Sequence, residues 1–322
     1  MGKLRKYIEM LEFRRPGGSM TECLFIDKFL VPTGAKPDSY GNFILTIGQN
    51  DVIWSSHVDT IHAKPGKQRV IIRGDYIRIH PEEKNSSCLG ADCTSGVWIM
   101  LEMIKARVPG TYIFHRDEER GGRGSSFIAK SNCEILKDKK FAIAFDRKGK
   151  DSVITHQMTG RCASQVFVDS IIPMLPGKYK ADASGTFTDT ANYNDLISEC
   201  TNISVGYYLE HTKEETQSMS HLISLRDHMV KIDLSKLVSD RNISESGQTH
   251  YYDYENGYRF SKRYGSLVVE DNEIPNYYGS KSLTMIQLIR RYPEDIEDIL
   301  ETFGYDFFTL KQEIFQARGW EL

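Results

Sequence analysis

The sequence predicts an α/β fold built on a largely parallel sheet, followed by a helical C-terminal extension. Three observations carry that reading. β-rich runs alternate with helical ones from about residue 4 to 232, acidic residues recur at the ends of the β-rich runs, and the step between several of them is 27 residues. A step of that size is what a strand, a crossover helix and their loops consume in a βαβ unit. Hydrophobic residues make up 40% and charged residues 26% of the 322, ordinary for a globular chain and unlike a disordered, collagen-like or disulfide-framed one. The balance of 41 Lys+Arg against 44 Asp+Glu gives a net charge of −3, which offers no field for nucleic acid.

Each element has its own warrant. VIWSSHVD (52–59), TYIFHRD (111–117) and FAIAFD (141–146) read as strands from their β-branched and aromatic content and flanking turn residues. Lys67 to His80 reads as two strands around a Gly74-Asp75 turn, so the Arg73-Gly74-Asp75 tripeptide is a hairpin turn rather than an integrin motif. SGVWIMLEMIKAR (95–107) carries apolar residues at helical spacing, with Ser95 positioned to cap it. These elements make up a first domain over 1–235. Residues 236–280 are polar and Tyr-rich, a linker or surface-wrapping segment. The extension, 281–322, holds helices over 281–292 and 293–304, the second opening on Pro293 and ending at Gly304, and a further one from Phe307 to Arg318. With no apolar run suited to a signal peptide or a membrane span, the six scattered cysteines are expected to be reduced thiols. The chain is expected to be cytoplasmic, with the Asn85, Asn202 and Asn242 sequons unglycosylated.

The chemistry-bearing residues lie where strands end. His57 and Asp59 form an H-x-D pair, Asp92 sits in GADCTSG before a helix, Glu118 and Glu119 follow TYIFHRD, Asp146 ends FAIAFD, and His211 follows ISVGYYLE. Successive βαβ units bring such side chains to the carboxyl edge of one sheet, where open α/β folds bind ligands. Two histidines and three carboxylates suit divalent zinc, cobalt or manganese. A bridging carboxylate allows two such ions roughly 3.5–4 Å apart. Three ligand carboxylates against two divalent ions leave one positive charge for a bound hydroxide, whereas without metal the carboxylates repel one another. The acid of an H-x-D pair can fix the tautomer of the histidine.

With those residues in view, the chain resembles the co-catalytic zinc exopeptidases, the superfamily of bacterial secreted leucyl aminopeptidases, peptidase T and carboxypeptidase G. The matching stretches are PGGSMTE (16–22), PDSYGNFIL (37–45), SSHVDTI (55–61), GADCTSG (90–96), DEERGGRGS (117–125), AFDRKG (144–149) and HTKEE (211–215), in the family's order over roughly the first 230 residues. The resemblance implies a three-layer α/β/α fold with a mixed, mostly parallel central sheet. It implies that His57, Asp92 and Asp146 hold one metal and that Asp92, Glu119 and His211 hold the other, with Asp92 bridging. Glu118 is then the general base for the metal-bound water, Asp59 orients His57, and the Asp92–Cys93 peptide is cis. The expected cofactor is a pair of divalent ions, zinc by family precedent and cobalt or manganese by the same ligands.

Two departures stand out. Cys93 replaces the family's common Asp and reads as a small buried residue rather than a ligand. The gaps of 35 residues between His57 and Asp92 and of 65 between Asp146 and His211 leave no room for an inserted lid, so the lidless form is expected. His156 is a candidate to face substrate, though the bland reading is preferred. Asp189 supports the site or caps a helix. Arg120, Arg123 and Arg147 are assigned to the surface, with a substrate carboxylate as the sharper alternative. The function expected is two-metal hydrolysis of amide bonds by an aminopeptidase or dipeptidase acting on small peptides. An N-acyl amino acid deacylase or carboxypeptidase is the alternative, and a retired fold serving as a binding module the reading from another class. No nucleic acid or membrane partner is expected.

Overall fold

Strands rich in apolar residues, such as those opening VIWSSH and FAIAFD, must be covered on both faces, and they form the centre of the sheet. The structure, a computed structural model, describes residues 4–158 and 160–243; the expected tail helices, and the linker from residue 244 onward, lie outside the described residues. Eight strands, β1 (Lys36–Pro37), β2 (Phe43–Ile47), β3 (Val52–His57), β4 (Gly110–His115), β5 (Phe141–Arg147), β6 (Ser152–Ile154), β7 (Lys180–Asp182) and β8 (Glu199–Ser204), form one mixed sheet in the order β7-β6-β8-β5-β3-β4-β2-β1. β3 runs parallel to both β4 and β5, β5 to β8 and β6 to β7; the remaining pairs are antiparallel. Every residue of β3, β4 and β8 is buried, the pattern of strands with helices on both sides.

Alternation decides which core each side chain joins. Trp54, Tyr112 and Ile143 point to one face, beneath α1 (Arg5–Leu11), α2 (Met20–Phe29) and α3 (Ala91–Lys105); Ile53, Ile113 and Ala142 point to the other, with Ile128 of α4 (Arg123–Ser131) and Tyr193. The face under α3 also takes Phe167 and Ile171 of α5 (Gln165–Ile171) and Leu222 of α6 (Met219–Met229). The expected three layers are therefore present. Gly96 lets α3 approach β5, since a Cβ there would lie 2.2 Å from the Phe145 carbonyl oxygen.

The hairpin expected over Lys67–His80 is found as strands Val70–Arg73 and Tyr76–Ile79, which join Thr216–Ser218 and Tyr207–Tyr208 in a small antiparallel sheet. Asp75 at its turn accepts hydrogen bonds from Ser218 Oγ and from Ser220 N and Oγ, so its carboxylate is bonded within the fold. The start of α3 differs from the expected Ser95 cap. The helix is entered at Ala91, loses helical angles at Asp92 and Cys93, and carries a cis peptide between them. Ser95 lies inside it, bonded to Gln217 Oε1 and Tyr7 Oη. Residues 239–241 lie on the core: Glu199 at the start of β8 accepts from the Asp240 and Arg241 amides, and the Arg241 guanidinium donates to carbonyls of Arg161, Asn194, Ile197 and Ser198. The six cysteines form no disulfide. Among the described residues no helix is long and apolar enough to cross a membrane.

Candidate metal centre

Because β3, β4 and β5 are parallel, their carboxyl ends open on one edge, and the candidate residues gather there. His57 ends β3, Asp146 lies near the end of β5, Glu118 and Glu119 follow β4, Asp92 occupies the break in α3, and His211 follows Tyr207–Tyr208. His57 Nε2 lies 3.0 Å from Asp92 Oδ1, 3.2 Å from Asp146 Oδ1 and 4.0 Å from Glu118 Oε2. His211 Nε2 lies 2.9 Å from Glu119 Oε1 and 3.3 Å from Asp92 Oδ2. Asp92 thus turns one oxygen to each histidine. Its two sides belong to two donor groups, His57–Asp92–Asp146 with Cys93 and Asp92–Glu119–His211, each with ligand atoms within 4.8 Å of one another.

The donor chemistry fits a pair of cations. His57 Nδ1 lies 3.0 Å from the Asp59 carbonyl oxygen, which can only accept, so Nδ1 keeps its proton; without cations Nε2 is protonated as well and donates to Asp92 and Asp146, and a cation would take the place of that proton. Without cations burial shifts three of the carboxyls toward their protonated forms. Burial pushes Glu119 up to about 7. Burial, with the Asp92 charge behind it, pushes Asp146 up to about 6. Glu118 rises well above the carboxylate range through burial, eased by His57 and reinforced by Asp146. Burial opposes charge on His211, yet its bonds to Asp92 and Glu119 raise it to about 12. Asp92 stays ionised because its bonds to the two histidines override its own desolvation.

Asp59 does more than the expected orienting of His57. Its carboxylate is 3.4 Å from His57 Nδ1, a longer approach than its carbonyl makes, and it accepts the amides of Glu118 (3.2 Å) and Glu119 (3.1 Å). One buried acid therefore positions the loop that carries both glutamates. Several supporting residues were not singled out from sequence. Thr188 donates to Asp146 Oδ2 and Tyr207 Oη to the Asp146 carbonyl. The β5–β8 register shifts between Asn202 and Ser204, and the Asn202 amide takes over both backbone groups of Asp146. None of these carries a local signal. Glu215, by contrast, lies within HTKEE. It accepts the amides of Gly90 (2.9 Å) and Asp92 (3.1 Å), tying the His211 loop to the Asp92 break. Glu215→Ala leaves two buried donors unmet and is expected to cost about 2–5 kcal/mol of stability, read by denaturant unfolding of the chelated protein. Glu215→Gln, which keeps one acceptor, should cost less.

The remaining candidates divide. Cys93 is fully buried, donates to the Phe145 carbonyl and contacts Ser56 Oγ at 2.8 Å, and its Sγ lies within the His57–Asp92–Asp146 donor group. Thr188, not Asp189, takes the N-cap position of the short 3₁₀ helix Asp189–Tyr193, so the capping alternative falls. Asp189 is buried 3.2 Å from His115 Nδ1, whose Nε2 meets Tyr193 Oη at 2.6 Å. His156 bonds Thr155, while its neighbour Gln157 lines the cleft. Arg120 pairs with Asp117, and both Arg120 and Arg123 are exposed. Arg147 leaves the surface assignment: it is half-buried and lines a cleft of about 160 Å³ with Asp92, Glu118, Asp146 and His211.

No family model and no curated protein matches the chain. Solved structures do. Aminopeptidase PepT from Bacillus cereus superposes with a TM-score of 0.58 at 15% identity, covering 71% of this chain and 96% of its own. A tripeptidase from Staphylococcus aureus gives 0.55 at 15%, over 71% and 96%. A TET aminopeptidase from a marine-sediment Thaumarchaeota archaeon gives 0.52 at 12%, over 73% and 98%. At such identities the likeness is one of fold, and the fold is the one that the seven motifs led us to expect.

Proposed function

We propose, from the fold that this chain shares with peptidase T and TET aminopeptidase structures, that it is a two-metal peptide-bond hydrolase, an aminopeptidase or dipeptidase acting on small peptides. The observation that carries the reading is Asp92, which turns one carboxylate oxygen to His57 and the other to His211 while Asp146 and Glu119 complete the two sides. In this reading His57, Asp92 and Asp146 hold one cation and Asp92, Glu119 and His211 the other. Zinc is the expected ion, with cobalt or manganese suited to the same donors. When bound, the pair supplies polarisation of the scissile carbonyl and acidification of a water.

The protein's own part falls to Glu118. Its carboxylate lines the cleft and makes no hydrogen bond among the described residues, and Asp59 fixes its backbone. It would accept a proton from the attacking water and return it to the leaving amine. His57, with its Nδ1 proton held by the Asp59 carbonyl, would present Nε2 as a ligand to the cation. The converging donor set argues against a retired binding module, which has no use for four carboxylates buried together. The test is metal analysis with a substrate panel. About two divalent ions per chain, and chelator-sensitive cleavage of peptides with a free amino terminus, support the reading. Cleavage confined to N-acyl amino acids or to carboxy-terminal residues moves it to a deacylase or carboxypeptidase, and absence of both metal and cleavage ends it.

A further inference from the structure

Beside the donor set lies a cation for which the proposed mechanism has no use. Arg147 follows Asp146 and lines the same cleft. Its Nη2 donates to Ser184 Oγ at 2.9 Å and Ser184 O at 3.4 Å and pairs with Asp182 Oδ2 at 3.3 Å. Its Nε is buried without a hydrogen-bond partner, and its Nη1 makes no bond among the described residues. The guanidinium is thus held in place by one nitrogen and has donors to spare. Lys148, the other cation on the cleft wall, is bonded to Glu210 at 2.6 Å. Asp182 shares its charge with Ser152 Oγ and the Ser184 amide. Across the cleft stand Ile154 and Phe187, and Gln157, whose Oε1 is buried without a partner.

We propose that Arg147 receives a carboxylate of the substrate, so that short peptides bearing a carboxylate close to the scissile bond are the preferred class. The proposal rests on the peptidase reading. A planar guanidinium with unmet donors matches a carboxylate better than any neutral group, and a preset Arg loses little freedom on binding it. Lys148 is matched by Glu210 alone, whereas Asp182, the partner of Arg147, also accepts from Ser152 Oγ and the Ser184 amide, so Arg147 is the cation of the cleft wall that keeps unmet donors. The volume of about 160 Å³ suits a single side chain or chain end rather than an extended peptide. The carboxylate can come from a chain terminus or from an acidic side chain, and the test separates the two.

The full-length, zinc-loaded protein is assayed on two matched pairs: a dipeptide and its C-terminal amide, and a peptide amide carrying Glu and its Gln counterpart. The acid member of at least one pair should be favoured about tenfold or more in kcat/KM, and which pair shows it names the source. Arg147→Met should lower the acid members roughly 10- to 100-fold and leave the amides within about threefold. Ser184→Ala removes the bond that presets Arg147 and should weaken the preference by less than Arg147→Met does. Equal loss on acids and amides overturns the proposal. A binding arm uses the loaded Glu118→Gln protein titrated with the same four peptides, with Arg147→Gln as a second variant should Arg147→Met not fold. Acid-selective binding that vanishes with Arg147 upholds the proposal even if no peptide is cleaved, in which case only the peptidase reading fails. No difference between acid and amide overturns it.

Discussion

Glu118→Gln should reduce turnover by roughly 10²- to 10⁴-fold while cation content stays at the wild-type level. The amide matches the acid in size, so the backbone bond from Glu118 to Asp59 persists and the two donor groups around Asp92 keep their members. What disappears is the ability to accept a proton. The variant's pH profile should also change. Glu118 acts as a base only when ionised, so the wild-type rate declines as pH falls through its pKa. The variant should lack this acid limb. Steady-state kinetics with metal analysis on the same sample decides the matter: a wild-type rate would remove Glu118 from the role, and loss of metal would make it a ligand instead.

Chelation should lower the thermal midpoint, and by more at pH 8 than at pH 5.5. In the metal-free protein Asp146 and Glu119 titrate at about 6 and about 7, above the ordinary carboxylate range near 4. A raised folded-state pKa contributes stability that is complete below the unfolded value and is lost as pH climbs through the folded one. The chelated protein therefore weakens between about pH 5 and 8, every tenfold gain in a group's proton affinity on folding being worth about 1.4 kcal/mol. Cations bind the deprotonated donors and must displace the proton that Asp92 and Glu119 hold on His211, so their contribution grows over the same window. At a hundredfold excess over Kd it amounts to about 2.7 kcal/mol. The buried His62 and His115, both depressed to about 3, destabilise the fold in acid with or without metal and cancel from the comparison. Thermal melts with and without chelator at three pH values would reject the two-metal reading if the gap were absent or narrowed with pH.

What could be read in advance followed from local rules. Strands β3, β4 and β5 announce themselves because burial on both faces selects apolar and small uncharged residues, and a charge appears only where the strand leaves the sheet. That is why His57 and Asp146, and the Glu118–Glu119 pair just past β4, could be found by spacing. The Gly74-Asp75 turn was legible for a similar reason, since its residues permit few other conformations. The supports of the site were not legible. Asn202 and Thr188 meet Asp146 from 56 and 42 residues away, and nothing about an Asn in ECTNIS or a Thr in TFTD marks a partner on another strand. Ser95 misled because a Ser before an apolar helix usually caps it; here the break at Asp92–Cys93 moves the entry upstream and Ser95 is drawn to Gln217. Arg147 misled in the opposite direction, as an Arg beside a turn is ordinarily solvated, whereas the 182–184 loop folds over this one.

The bonding of residues 239–241 bears on how the polypeptide is arranged beyond the sheet. Glu199 pairs with Phe141 in register, at the amino ends of parallel strands β8 and β5, and Asp146 lies five residues further along β5, roughly 17 Å away. The clasp made by Glu199 and Arg241 thus sits at the opposite rim of the sheet from the cleft that Asp92 lines. Residues 240 and 241 are fastened there through their backbone amides and the Arg241 guanidinium, so the length of a strand separates this fastening from the geometry around Asp92.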